Sequence, residues 1–256
     1  MQMSSFLAEL IGTAIVILLG DGVVANVVLS KTKGNGGGWI VITFGWGMAV
    51  FVAVFCVSRY SGAHLNPAVT IALAASPVGD FHWSQAPAYI GAQMLGAFLG
   101  AILVYLFYRE HFNVTDDADA KLACFCTAPN IRAMATSFFC EVVGTFVLVF
   151  PILLMENPSL ALDVGAASPK NVKMGLGAIG ALPVGLLVFA IGLSLGGTTG
   201  YAINPARDLA PRIAHAILPI RGKRDSDWGY AWIPVLGPMV GALLAAAASA
   251  ALIPRH

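Results

Sequence analysis

The triplet Asn-Pro-Ala occurs twice, at Asn66-Pro67-Ala68 and at Asn204-Pro205-Ala206, and each copy heads an apolar segment too short to cross a bilayer, roughly 66–76 and 204–216. Asn is a preferred helix N-cap, and Pro suits the first helical position, where its missing N–H has no partner to lose. A short helix is therefore expected to start at each triplet. At about 1.5 Å per residue such helices reach only about halfway through a ~30 Å hydrocarbon core. Backbone that stops at that depth is tolerated only where protein covers it or where it lines a watery cavity. An N-capping Asn accepts with its side-chain oxygen, which leaves the amide NH2 as a donor that can point elsewhere. Two such donors imply a shared solute path.

The rest of the chain puts that path in a membrane. Hydrophobic residues make up 58% of the 256, charged residues only 11%, and mean hydropathy is +0.80, the profile of a polytopic membrane protein. Six stretches are long enough to span, roughly 4–29, 39–58, 84–108, 133–155, 175–195 and 231–253, by the criterion of about 20 apolar residues. No Lys or Arg precedes Lys31, so the basic start of a cleaved signal peptide is missing and the first stretch is expected to stay. A net charge of +1 gives no pointer to nucleic acid or to an acidic partner.

The chain also repeats itself. Glu9-Leu10-Ile11-Gly12-Thr13 and Glu141-Val142-Val143-Gly144-Thr145 open the first and fourth spans, 132 residues apart, and the triplets lie 138 apart. Ser61-Gly62-Ala63-His64-Leu65 before the first triplet answers Thr199-Gly200-Tyr201-Ala202-Ile203 before the second. Each half has an odd number of spans, so the halves enter the membrane from opposite sides. In such inverted repeats broken helices meet near the midplane and aim their positive N-termini at the site. The expected division is a first repeat at 1–108, a polar linker at 109–132 and a second repeat at 133–256.

With both Asn-Pro-Ala boxes and both Glu-x-x-Gly-Thr starts in place, the chain resembles the aquaporin, or major intrinsic protein, family over essentially its whole length. Asp208, directly after Arg207, resembles the glycerol-conducting branch. The resemblance implies an all-α bundle of six transmembrane helices and two re-entrant half-helices, a homotetramer with one pore per subunit, a cell-membrane location and cytoplasmic termini. It also implies a narrow ring at Trp46, Gly192, Tyr201 and Arg207: twenty residues before the first box, twelve and three before the second, and directly after the second. Glu9 and Glu141 would brace the re-entrant loops, and the carbonyls of Gly62, Ala63, His64, Leu65, Gly200, Tyr201, Ala202 and Ile203 would line the path.

Such a ring suits a polyol. The aromatic pair can cover the carbon edge of glycerol while Arg207 presents a fixed fork of donors to the hydroxyl edge. A hydroxyl both donates and accepts, so it can exchange partners along the carbonyls with Asn66 and Asn204 at the midpoint. A bare cation meets two positive helix ends and Arg207 instead. The expected function is passive diffusion of glycerol and other small neutral solutes, with water.

Other readings have less behind them. A strict water channel is opposed by Gly192 and Asp208. A coupled transporter also uses inverted repeats, but the expected pore-facing set holds no carboxylate cluster. An enzyme would need a nucleophile–base pair or a metal set, and Cys56, Cys124, Cys126 and Cys140 lack zinc spacing, so no cofactor or metal is expected. Gly175 to Gly180 fits G-x-G-x-x-G without the strand a nucleotide site requires. One count opposes the family orientation. Lys31, Lys33, Arg109, Lys121, Arg132, Arg212, Arg221, Lys223 and Arg224 would lie outside, against Arg59, Lys170, Lys173 and Arg255 inside, the reverse of the positive-inside rule.

Overall fold

A computed structural model of the chain describes residues 3–77, 80–155, 159–162, 172–175 and 177–252. Among these, six helices are long and apolar enough to cross a membrane. Five are continuous α-helices: α1 (Ser5–Val28), α2 (Trp39–Ser61), α4 (Ala86–Phe107), α7 (Met134–Leu154) and α10 (Ile233–Leu252). The sixth joins a tight 3-10 turn, Gly177–Ala181, to α8 (Leu182–Leu195). The two half-helices are α3 (Pro67–Ala75) and α9 (Pro205–Ile217), roughly 14 and 20 Å long at 1.5 Å per residue.

The inverted repeat is visible in how the helices cross. In the first half α1 packs on α2 and α4, and in the second α7 packs on α10 and α8. Each short helix reaches across, α3 to α10 and α9 to α4. Glycines permit the close approaches. A Cβ on Gly96 would come 2.2 Å from the Leu10 carbonyl oxygen of α1, and one on Gly241 would come 2.3 Å from the Val142 carbonyl oxygen of α7. At the junction of the halves the same contact occurs twice: a Cβ on Gly47 would meet the Gly185 carbonyl at 2.7 Å, and one on Gly185 the Gly47 carbonyl at 2.7 Å. Small residues therefore face inward while Leu19, Phe44, Leu103, Phe107, Leu186 and Leu244 are exposed on the outer wall, as expected for a lipid-facing surface.

Two features go beyond the expected outline. The linker carries two short helices, α5 (Arg109–Val114) and α6 (Ala118–Ala123), the second capped by Asp117, whose carboxylate accepts from the backbone N–H groups of Asp119 and Ala120. A two-stranded antiparallel ribbon, β1 (Ser159–Leu162) with β2 (Val172–Gly175), precedes the fifth span and takes Gly175, which was expected to open that span. Residue 176, inside the glycine motif, lies outside the described residues, as do Lys170 and Arg255 of the charge count and the last residue of the expected sixth span.

Candidate functional site

The two loops that precede α3 and α9 take matching unusual backbone paths. Positive φ occurs at Gly62 (81°), Ala63 (52°) and Leu65 (52°), and again at Gly200 (84°), Tyr201 (40°) and Ile203 (44°). For a non-glycine residue this region costs about 1–2 kcal/mol, so something must hold it. Glu9 Oε1 accepts from the Ser61 hydroxyl at 2.6 Å and from His64 N–H at 3.0 Å, and Glu9 Oε2 accepts from Leu65 N–H at 2.8 Å. Glu141 does the same in the other half, with Thr199 Oγ1 (2.7 Å) and Ala202 N–H (3.0 Å) on Oε1 and Ile203 N–H (2.9 Å) on Oε2. In a trans peptide the N–H and the preceding C=O point in opposite directions. Drawing those N–H groups to the glutamates therefore turns the carbonyls of Ala63, His64, Tyr201 and Ala202 away from them, toward the cavity these loops line.

The two asparagines cap as expected, Asn66 Oδ1 accepting from Ala68 N–H at 2.8 Å and Asn204 Oδ1 from Ala206 and Arg207 N–H at 3.0 and 3.2 Å. Their amide NH2 groups are not wholly free. Asn66 Nδ2 donates to the Ile203 carbonyl at 2.8 Å and Asn204 Nδ2 to the Leu65 carbonyl at 2.9 Å. Each amide thus stitches its own half to the opposite loop with one hydrogen and has a second left to offer.

Two cavities meet at Arg207. One, of about 160 Å³, is lined by residues including Trp46, Val54, Gly62 to Asn66, Val188, Tyr201 to Asn204 and Arg207. The other, of about 440 Å³, is lined by residues including Trp39, Trp46, Cys126, Thr127, Gly200, Tyr201 and Arg207. Trp46, Tyr201 and Arg207 belong to both. The Arg207 guanidinium carbon lies 4.2 Å from the Trp46 ring centre, and its Nη1 donates to Asp21 Oδ1 and to the Phe125 carbonyl, each at 3.2 Å. Nη2 and Nε make no bond to protein among the described residues. Gly192 is among the lining residues of neither cavity. A Cβ there would fall 2.8 Å from Thr43 Cγ2 and 2.9 Å from Tyr201 Cζ, so the bare Cα is what admits the tyrosine ring.

The family model for major intrinsic proteins matches residues 1–248. The chain belongs to the major intrinsic protein family. A probable glycerol uptake facilitator protein of Thermotoga maritima is 57% identical over 95% of this chain and 97% of its own length. A glycerol uptake facilitator protein of Bacillus subtilis is 52% identical, with 93% of this chain and 81% of that protein aligned. Among solved structures, the aquaglyceroporin of Plasmodium falciparum superposes with a TM-score of 0.76 at 32% identity, covering 95% of this chain and 93% of that one.

Within this major intrinsic protein, Asp208 touches neither cavity. Its Oδ2 accepts from the backbone N–H and hydroxyl of Thr127, both at 2.7 Å, and its Oδ1 accepts from Arg212 Nε at 2.8 Å. It therefore anchors the segment that carries Phe125, whose carbonyl holds Arg207. His64 lines the smaller cavity with Nδ1 3.1 Å from Thr70 Oγ1, and its ring meets Phe81 edge to face and Tyr89 at a tilt. Three residues escape the sequence reading. Trp39 donates through Nε1 to the Gly192 carbonyl at 2.9 Å and meets Tyr201 edge to face at 5.9 Å. Phe125 contributes through its backbone, which no side-chain pattern reveals. Asp21 is an ionisable residue within a span, and the rule that singles out Glu9 and Glu141 applies to it equally.

Proposed function

We propose that the chain is a passive channel that lets glycerol and related small neutral solutes, with water, cross a cell membrane down their gradients. The observation that carries this reading is the meeting of the two cavities, where Trp46 and Tyr201 give an apolar wall and Arg207 keeps Nη2 and Nε unbonded to protein. A polyol matches both surfaces at once. Trp46, Tyr201 and Arg207 form the ring, with Gly192 acting behind it by making room for Tyr201. The loop carbonyls hand hydroxyls along, and the second hydrogens of the Asn66 and Asn204 amides reorient them at the midpoint. The names of the two bacterial relatives point the same way.

In this reading residues 1–108 and 133–256 are the two repeats, 109–132 joins them, four copies assemble with a pore in each, no reaction is catalysed, and both termini are cytoplasmic. Several of the basic residues that oppose this orientation are engaged within the fold. Arg212 is fully buried on Asp208 and on the carbonyls of Thr127 and Ser226. Lys223 caps α9, donating to the carbonyls of His215, Ala216 and Leu218. Lys121 donates to the Arg221 carbonyl. Charges fixed in this way serve the fold and lose weight as topology signals.

The test is stopped-flow light scattering on proteoliposomes, comparing glycerol with sucrose gradients. We expect raised glycerol permeability, a low activation energy and no dependence on proton or sodium gradients. Gradient dependence would favour a coupled transporter, and water flux without glycerol flux would favour a strict water channel.

A further inference from the structure

Four buried carboxylates lie beneath the loops and the ring, and three of them are saturated. Both oxygens of Glu9, Glu141 and Asp208 accept bonds from loop backbone or from neighbouring side chains. Asp21, on α1, differs. It is fully buried, its Oδ1 meets Arg207 Nη1 at 3.2 Å, and its Oδ2 has no partner among the described residues. A brace uses both oxygens. Asp21 holds no loop; its one hydrogen-bond partner among the described residues is the arginine at which the two cavities meet.

The packing delivers it there. A Cβ on Gly20 would come 2.3–2.5 Å from the Trp46 ring, so α1 lies directly against that tryptophan and the next residue reaches the guanidinium stacked on it. Both of Arg207's side-chain bonds converge on Nη1. The Asp21 carboxylate therefore binds the far corner of the guanidinium, and the other two nitrogens are left for whatever occupies the cavities.

Resting on the channel reading above, we propose that Asp21 is a specificity-determining residue: its carboxylate offsets the Arg207 charge, so the constriction offers N–H donors to hydroxyls without the positive field that would draw in small carboxylates. An unbalanced guanidinium pairs bidentately with a carboxylate, and in a low-dielectric passage that attraction is poorly screened. A three-carbon hydroxy-acid anion has nearly the size and the carbon and hydroxyl edges of glycerol, so shape separates the two poorly. Charge separates them well. An anion on Arg207 must approach the Asp21 carboxylate, whereas a neutral polyol carries no charge for it to repel.

The probe pair is glycerol and lactate at pH 8, measured on proteoliposomes holding wild-type protein, Asp21→Asn, or Asp21→Asn with Arg207→Gln, each normalised to inserted protein. We expect Asp21→Asn to raise lactate entry at least tenfold and to slow glycerol, and the double variant to return lactate entry to the wild-type level. Loss of Asp21→Asn from the membrane with retention of the double variant would report the same charge partnership through folding. A wild-type lactate-to-glycerol ratio in folded Asp21→Asn overturns the proposal, as does failure of both variants to insert, which would mark Asp21 as a general structural residue. Wild-type protein without glycerol flux would end the channel reading and this proposal with it.

Discussion

Residues 62–66 and 200–204 follow one backbone design, with left-handed φ at the first, second and fourth positions of each and a buried glutamate holding the N–H groups. Their side chains are nevertheless unlike. At the 138-residue offset, Tyr201 answers Ala63, Arg207 answers Val69, and Asp208 answers Thr70. The repeat therefore builds a symmetric midpoint, and a few substitutions on one side of it place Tyr201 and Arg207 where the two cavities meet. The second half also needs support that the first does not. Thr70 contacts His64 and Gln93, whereas Asp208 and Arg212 tie α9 to the segments around Thr127 and Ser226. In the proposed channel, symmetry belongs to the scaffold and selectivity comes from departing from it.

The largest effect should come from breaking what the halves share. Hydrogen bonds to a charged group contribute roughly 1.5–3 kcal/mol each, and each glutamate offsets two non-glycine residues held at positive φ. In Glu9→Gln or Glu141→Gln an amide NH2 must face at least one backbone donor. We expect both variants to lose most membrane-inserted protein and most glycerol flux per inserted molecule, to a similar degree, as measured by quantified expression with proteoliposome assays. A severe loss in one and none in the other would show that the two loops are not held equivalently.

Much of the scaffold was legible because its signals are local. A span is a length and a composition, and Asn66-Pro67 and Asn204-Pro205 carry their own capping chemistry. The glutamates could be read from their spacing together with the family likeness. Contacts between distant residues were not legible. Asp21 gains its meaning from Arg207, 186 positions away, and each asparagine amide bonds a carbonyl of the opposite loop. The importance of Trp39 lies in its hold on Gly192, 153 positions away. The family pattern puts Gly192 in the expected ring, but the clearance its missing side chain gives Tyr201, whose Cζ would lie 2.9 Å from a Cβ there, is visible only in the structure.

That clearance sharpens the comparison. At the repeat offset Gly192 answers Val54, which lines the smaller cavity, so the first half pairs a larger helix residue with Ala63 and the second pairs glycine with Tyr201. Gly192→Ala should push the tyrosine ring into the path. A barrier higher by ~1.4 kcal/mol slows passage about tenfold, and we expect a glycerol loss of that order with a smaller loss for water. Gly192→His with Tyr201→Cys removes the ring that clashes, and should recover water flux while glycerol stays slow. Paired water and glycerol swelling assays, normalised to inserted protein, read both. An unchanged ratio in both variants would detach Gly192 and Tyr201 from selectivity.

The smallest effect concerns a contact between the segments that precede α7 and α10. Arg132, just before α7, grips Asp227, just before α10, through both carboxylate oxygens at 2.5 and 2.6 Å, and the Asp227 backbone carbonyl also accepts from the buried Arg212. The hydrogen bonds from Arg132 hold the Asp227 carboxyl below its ordinary 3.8. A carboxyl depressed in the folded state adds stability that is fully present above its unfolded pKa and disappears as pH falls through the lower folded value. Arg132 is nearly half exposed, so solvent screening limits the pair to about 1 kcal/mol or less. Asp227→Asn should therefore lower the melting temperature in detergent by a few degrees at neutral pH, and the gap to wild type should close as pH drops below about 3.8, the ordinary carboxylate value. Glycerol flux at neutral pH should hardly change, because neither residue is among those lining the two cavities. A gap in melting temperature that persists in acid would show that Asp227 stabilises this contact by its shape and backbone, with its charge contributing nothing.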